Sequence, residues 1–237
     1  QWMVGYYERV MKCAARHRLF VDMHGSYTPK GLYRTYPNLL TYEGVLGMEQ
    51  GARCKPENSN WLPFIRNAVG PMDFTPGSMF SAQPEDNRST GANPMGTGTR
   101  AYQMALYVVF ESPLQMLADN PVLYRREHPC TEFLAAVPTT WDSLRVLHAA
   151  CGREVVVARR KGDKWYVGGI TNDRPYTTEI ALDFLPAGRT FTMTSFEDGV
   201  NADLQATDYR KRVREVDAST VVKVEMVRNG GWAAVIE

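Results

Sequence analysis

The pattern of the chain changes near residue 140, and that change limits the folds open to it. Ahead of this point, short apolar runs alternate with helical stretches. Residues 19–23 (LFVDM) form an apolar run ending at His24-Gly25, and residues 68–74 (AVGPMDF) form a second strand candidate broken by Gly and Pro. Residues 99–118 carry Tyr102, Met104, Tyr107, Val108 and Phe110, the wide apolar face of a long helix, and residues 120–136 read as another. Such alternation favours a parallel sheet covered by helices. Beyond residue 140 the helical pattern stops. Residues 154–159, 165–170, 178–184, 190–196, 220–227 and 232–236 read as strands, with hairpin turns at 161–164 (KGDK) and 229–231 (NGG).

The fold class is therefore α/β in two parts. Residues 1–140 are expected to be the C-terminal portion of a (β/α)8 barrel, and residues 141–237 a small antiparallel β-sandwich domain. The first part is too short for a whole barrel, which takes about 250 residues. Met3, Tyr6, Tyr7, Val10, Met11 and Ala14 fall three and four apart, so residues 1–17 read as a helix already under way, with further sequence expected upstream. Alone, a partial barrel is expected to fold poorly and to show no turnover.

Charge narrows the partners. Lys plus Arg number 27 against 26 Asp plus Glu, a net charge of +1, so no basic surplus points to nucleic acid. No apolar run is long enough to span a bilayer. Cys13, Cys54, Cys130 and Cys151 share no metal-site spacing and read as small buried residues.

Two loops are placed to carry chemistry. Residues 24–49 follow the first strand candidate and hold His24, Arg34, Glu43 and Glu49; residues 70–77 (GPMDFTPG) hold Asp73. Glu43 and Glu49 are six residues apart, about 240° of rotation on a regular helix, but Gly44 and Gly47 between them permit an irregular backbone. Facing one cleft, the two can hold a hard cation such as calcium, or one can donate a proton; as two surface glutamates they do neither. His24 at a strand end can donate to a sugar hydroxyl or serve as a hydrogen-bonded structural residue. Asp22, two residues earlier, shares its face and reads as a buried hydrogen-bonding group. Arg34 reads as a loop tie. Tyr27, Tyr33, Tyr36, Tyr42 and Trp61 suit either sugar stacking or loop packing.

These segments resemble glycoside hydrolase family 97. The matching stretches are VDMHGSYTPKGLYRTYPNLLTYEGVLGME at 21–49, VGPMDFTPGSM at 69–79, GTRAYQMALYVVFESPLQMLADNP at 98–121 and VPTTWD at 137–142, with 153–173 resembling the opening of the family's C-terminal β domain. The resemblance implies that Glu49 is the general acid, that Glu43 and Glu49 are calcium ligands, and that His24 contacts the sugar where cleavage occurs. Inverting members carry a glutamate base directly after that histidine, where this chain has Gly25. Retaining members use an aspartate nucleophile from an earlier strand, ahead of residue 1.

The resemblance thus implies a retaining hydrolase of terminal α-galactosides acting by double displacement, with a carboxyl pair about 5–5.5 Å apart. Its general acid must hold a proton near neutrality, which apolar or anionic surroundings favour and a nearby calcium opposes. Tyr102 stands where relatives often have His. The alternatives are an inverting α-glucosidase of the same family and a non-catalytic carbohydrate-binding protein. The expected partner is an oligosaccharide or α-galactoside, and the expected compartment of the intact protein is periplasmic or secreted.

Overall fold

The computed structural model describes residues 1–237. Helix α1 (Trp2–Arg16) leads to β1 (Val21–Met23), α2 (Leu32–Thr35) and β2 (Leu39–Tyr42). Tyr7, Met11 and Ala14 lie four and three residues apart, so one face of α1 is buried, and Tyr7 and Met11 cluster with Met23, Leu39 and Tyr42. β1 and β2 pair in parallel, with Val21 opposite Leu39 and Met23 opposite Tyr42.

Residues 68–74 do not form the expected strand. Asn67–Val69 is a turn of 3-10 helix, and Pro71 has no N–H to donate to a ladder. What remains is a single parallel bridge between Tyr42 and Met72, where the Asp73 amide donates to the Tyr42 carbonyl at 2.9 Å. Short helices α3 (Pro56–Ser59) and α4 (Leu62–Ile65) precede this bridge. After it, β3 (Ser81–Ala82) and β4 (Gly96–Thr97) pair in parallel.

Helix α5 (Arg100–Val109) starts at Thr99, whose hydroxyl accepts from the Tyr102 amide, and every residue in it is buried. It ends at Val109 rather than 118, with Pro113 just beyond to prevent continuation. The helix expected over 120–136 is two, α6 (Pro121–Arg126) and α7 (His128–Ala136). They break at Glu127, because Pro129 cannot donate to a preceding turn.

Eight strands follow: β5 (Ser143–Ala150), β6 (Glu154–Lys161), β7 (Lys164–Thr171), β8 (Tyr176–Ala181), β9 (Phe191–Asp198), β10 (Tyr209–Val216), β11 (Val221–Met226) and β12 (Gly231–Ile236). Six form an antiparallel sheet in the order β10-β9-β12-β7-β6-β5, and β8 pairs with β11 as a separate ribbon. Strand alternation gives the sheet two apolar faces. Val155, Val157, Ile170, Phe196 and Ala233 pack against α5, while Val156, Val167, Met193, Trp232 and Ala234 pack against Ile180, Val222 and Val224 of the ribbon. The expected sandwich is thus a six-stranded sheet with a two-stranded ribbon on one face and a helix on the other. Gly168 lets α5 come this close: a Cβ there would lie 2.9 Å from the Ala105 carbonyl oxygen.

The turn at 229–231 joins strands that do not pair with each other, so it carries the chain from ribbon to sheet and is not a hairpin. β5 and β10 were not among the expected strands. Both are sheet edges, and β10 (YRKRVREV) spends its alternation on charge, which protects an open edge from further pairing. Cys54 and Cys130 are buried as expected, but Cys13 and Cys151 are exposed.

A buried carboxyl ties α5 to the sheet. Asp198 accepts from Thr99 Oγ1 at 2.6 Å and from the Val227 and Gly231 amides at 3.0 and 3.1 Å. Burial pushes its pKa up to about 7 against the pull of those donors. The Thr99 amide in turn donates to the Asn229 carbonyl at 2.9 Å.

Candidate active site

The parallel pairing brings successive strand ends to one edge. His24 follows β1, Glu43 follows β2 and Asp73 follows the Met72 bridge. Groups at the carboxyl ends of parallel strands face a common crevice, and here they converge. His24 Nδ1 lies 3.7 Å from Glu43 Oε2, and His24 Nε2 lies 3.5 Å from Asp73 Oδ2 and 3.8 Å from Glu49 Oε2.

Glu49 arrives by a different route from the regular helix considered above. It sits in a 3-10 turn, Met48–Arg53, whose first amide, Met48 N–H, donates to the Phe74 carbonyl at 2.8 Å. That bond fastens the Glu49 turn to the segment carrying Asp73. The six-residue spacing between the glutamates is therefore crossed by irregular backbone, and both reach the same imidazole.

The carboxylates differ in exposure. The Asp73 side chain is 1% exposed, that of Glu43 10% and that of Glu49 42%. Glu43 Oε2 accepts a short hydrogen bond from the Gly25 amide, Gln50 Nε2 donates to Glu49 Oε1 at 3.1 Å, and Thr75 Oγ1 donates to Asp73 Oδ1 at 3.3 Å. Asp73 Oδ2 has no hydrogen-bond partner among the side and main chains. Burial first, then the charge of nearby Asp73, raise the Asp22 pKa to about 7, with His24 opposing. Asp22 is half-buried rather than buried, and its Oδ1 has no hydrogen-bond partner within the chain, unlike the buried hydrogen-bonding group its position suggested.

Sequence reasoning missed Arg66 entirely. Its buried guanidinium donates to four carbonyl oxygens: Tyr42 at 2.9 Å, Glu43 at 3.2 Å, Gly70 at 3.0 Å and Pro71 at 3.1 Å. It joins the end of β2 to the loop ahead of Asp73. An arginine ending an otherwise apolar segment (WLPFIR) was the only available signal. Asp73 itself was noted at a strand end but given no role.

The aromatic residues of the long loop pack. Tyr27 meets Tyr7 edge-on at 4.8 Å and Tyr42 at 6.2 Å, while the Arg34 guanidinium lies 5.8 Å from the Tyr33 ring centre. Trp61 covers Gly152 at the sheet edge.

Ligand atoms of His24, Glu43 and Glu49 all lie within 4.8 Å of one another. Two carboxylates suit a hard, oxygen-seeking cation; the imidazole nitrogen does not. The donor chemistry thus fits calcium on Glu43 and Glu49, with His24 free to face a hydroxyl-bearing ligand. Two side chains fall short of the six to eight oxygens that calcium takes, so water or other groups would have to complete the shell.

Comparison with known proteins points to a single family. The family described as "Glycoside hydrolase 97" matches residues 1–45, and that described as "Glycosyl-hydrolase 97 C-terminal, oligomerisation" matches residues 140–237. The chain is 41% identical to a retaining alpha-galactosidase of Bacteroides thetaiotaomicron, over 100% of this chain and 36% of the relative. It is 33% identical to a probable retaining alpha-galactosidase of Streptomyces bingchenggensis, over 97% of this chain and 33% of the relative. A family 97 enzyme from Pseudoalteromonas sp. strain K8, solved in complex with acarbose, superposes with a TM-score of 0.88 at 36% identity, covering 100% of this chain and 37% of that one. The chain spans about a third of the length of the curated relatives it matches. With its first 45 and last 98 residues matched by models of one family, and its whole length aligned with family enzymes, the chain belongs to glycoside hydrolase family 97.

Proposed function

We propose that this chain is the later part of a hydrolase of terminal α-galactosides that retains anomeric configuration. In this reading residues 1–140 supply the last strands of a (β/α)8 barrel and residues 141–237 the C-terminal β domain. The observation that carries the reading is the convergence of Glu49 and Glu43 on the His24 imidazole. Likeness to two relatives named as retaining alpha-galactosidases supports the substrate class and stereochemistry.

The mechanism follows from the residues in the cleft. Glu49, the more exposed glutamate, gives its proton to the glycosidic oxygen while a carboxylate from outside residues 1–237 attacks the anomeric carbon. It then takes a proton from the water that releases the sugar. His24 contacts the hydroxyls of the sugar undergoing cleavage. Glu43 is fixed by the Gly25 amide and held at its main chain by Arg66. Glu43 and Glu49 would hold a calcium ion, which would supply a positive charge that orients carboxylates and sugar hydroxyls. The compartment that suits such an enzyme is the periplasm or the exterior of the cell.

An α-glucoside reading draws support from the relative solved with acarbose. In its inverting form it needs a water-activating base beside His24, and Gly25 has no carboxyl to offer.

Proton NMR of the sugar first released from an aryl α-galactoside tests the reading, using an enzyme of the same length as the relatives. Initial appearance of α-galactose supports double displacement. Initial appearance of β-galactose means that a base activates water directly, and the retaining mechanism is wrong.

A further inference from the structure

A cavity of about 740 Å³ lies beside the start of β2 and the entry to the β domain. Leu39 and Leu40, the first residues of β2, line it, together with residues 139–144, Glu111 and Arg159. Glu43 follows the other end of that strand, and none of His24, Glu43, Glu49 and Asp73 is in the walls. The cavity is therefore separate from the cluster around the imidazole.

Two charges in these walls lack partners. Arg159 is 7% exposed and shares the α5 face of β6 with Val155 and Val157. Its Nη2 donates to the Val109 carbonyl at 3.1 Å, its Nε has no hydrogen-bond partner, and no carboxylate pairs with it. Arg66, by contrast, places its buried guanidinium on four carbonyl oxygens. A buried charge left so poorly partnered is costly. Glu111 is exposed, and only its main chain is engaged, by the Met72 amide and Asn67. Burial lowers the Arg159 pKa and Glu111 opposes that shift, so the two charges sense each other without forming an ion pair. Trp141 stands beside them. Its ring centre lies 5.6 Å from the Arg159 guanidinium, and Tyr166 meets the indole at 69° with ring centres 5.5 Å apart, which holds the ring in place.

We propose that this cavity is a saccharide-binding site distinct from the cleavage site, in which Arg159 and Glu111 hold neighbouring hydroxyls of one sugar and Trp141 packs on its C–H face. The proposal goes beyond the hydrolytic reaction and does not depend on it. A guanidinium offers donors and no acceptor, and a carboxylate the reverse. Neighbouring sugar hydroxyls both donate and accept, so they bridge two such groups that do not reach each other. Other ligand classes satisfy one group at the expense of its neighbour. An anion on Arg159 is repelled by Glu111, a cation on Glu111 is repelled by Arg159, and an apolar ligand leaves both charges without partners. A neutral polyol meets both, and the indole suits its apolar face.

Galactose, titrated into an enzyme of full family length while tryptophan fluorescence is recorded, tests the site. A saturable change is expected, and Trp141→Phe is expected to remove most of it. In Glu111→Ala the midpoint is expected to rise about tenfold, the scale of one lost hydrogen bond to a charged group. That substitution removes an exposed carboxyl with no partner, so folding is not at stake. Hydrolysis of α-galactosyl fluoride by Glu111→Ala is expected to match that of the unsubstituted enzyme. The absence of a saturable change overturns the proposal, as does a change undiminished in Trp141→Phe or a midpoint unmoved in Glu111→Ala. A fall in fluoride hydrolysis parallel to the shift in midpoint places the sugar at the cleavage site and overturns it too.

Discussion

Arg66 holds Glu43 by its main chain: the buried guanidinium donates from one nitrogen to the carbonyl oxygens of both Tyr42 and Glu43, at 2.9 and 3.2 Å. The same group reaches Gly70 and Pro71, so one side chain sets the spacing between two strand ends of the site. Arg66→Met leaves those carbonyls without their donors and is expected to cost about 3 kcal/mol, the scale of losing hydrogen bonds to a buried charge. Urea unfolding with an unchanged m-value would show this; a loss within about 0.5 kcal/mol, the range of an ordinary surface change, would mean that water replaces the guanidinium without penalty.

Glu49→Gln removes the transferable proton and keeps the shape. Turnover of an α-galactosyl disaccharide by the full-length enzyme is expected to fall at least 10²- to 10⁴-fold, roughly the range for general acid–base catalysis, while binding of galactose persists. Retained turnover in steady-state assays would remove Glu49 from the reaction and leave a carbohydrate-binding role.

Calcium is expected to raise the thermal midpoint of this chain, because a ligand that binds only the folded state stabilises it by about 2.7 kcal/mol at a hundred times its dissociation constant. Glu43→Gln removes one carboxylate from the donor set and should abolish that response. Thermal scans with calcium and with a chelator decide the matter: equal calcium shifts in both proteins would place the ion elsewhere.

Gly25 adopts φ +61, with open space where a Cβ would sit. Gly25→Ala therefore meets a conformational cost and no clash, about 1–2 kcal/mol for a left-handed L-residue. A much larger loss in denaturant titrations would point to damage at the Gly25–Glu43 hydrogen bond instead.

Asp198 makes stability depend on pH. Its folded pKa of about 7 exceeds the ordinary 3.8, so the folded chain holds a proton that the unfolded chain releases. This contribution is complete below the ordinary value and is lost as pH rises toward 7, with a slope of up to about 1.4 kcal/mol per pH unit. Asp198→Asn keeps an oxygen for the Val227 and Gly231 amides and cannot ionise. The stability difference between the two proteins should shift in favour of the variant as pH rises across that window; parallel pH curves would show that Asp198 folds ionised.

Much of the secondary structure was legible because it depends on local pattern. The apolar spacing of Tyr7, Met11 and Ala14 marked α1, and the short continuous apolar runs in EVVVAR and WYVGGI marked β6 and β7. The misread elements failed where a distant partner decided the outcome. β10 becomes a strand by pairing with β9 despite its charge, and residues 68–74 keep only the Met72 bridge because Pro71 interrupts them.

The site divides in the same way. His24, Glu43 and Glu49 could be named from their motifs, because chemistry requires those residue types. Their meeting could not be deduced, since spacing alone would have turned the two glutamates apart on a regular helix. The parallel register of β1 and β2, the Met72 bridge and the Met48–Phe74 hydrogen bond bring them to one imidazole. Asp73 and Arg66 gain their places only there, because a buried polar group takes its role from the partners that folding supplies. By itself the sequence determined which residue types were present and which segments were helical or extended; the tertiary structure alone decided which of those residues share a cleft, because convergence depends on contacts between segments that no local pattern encodes.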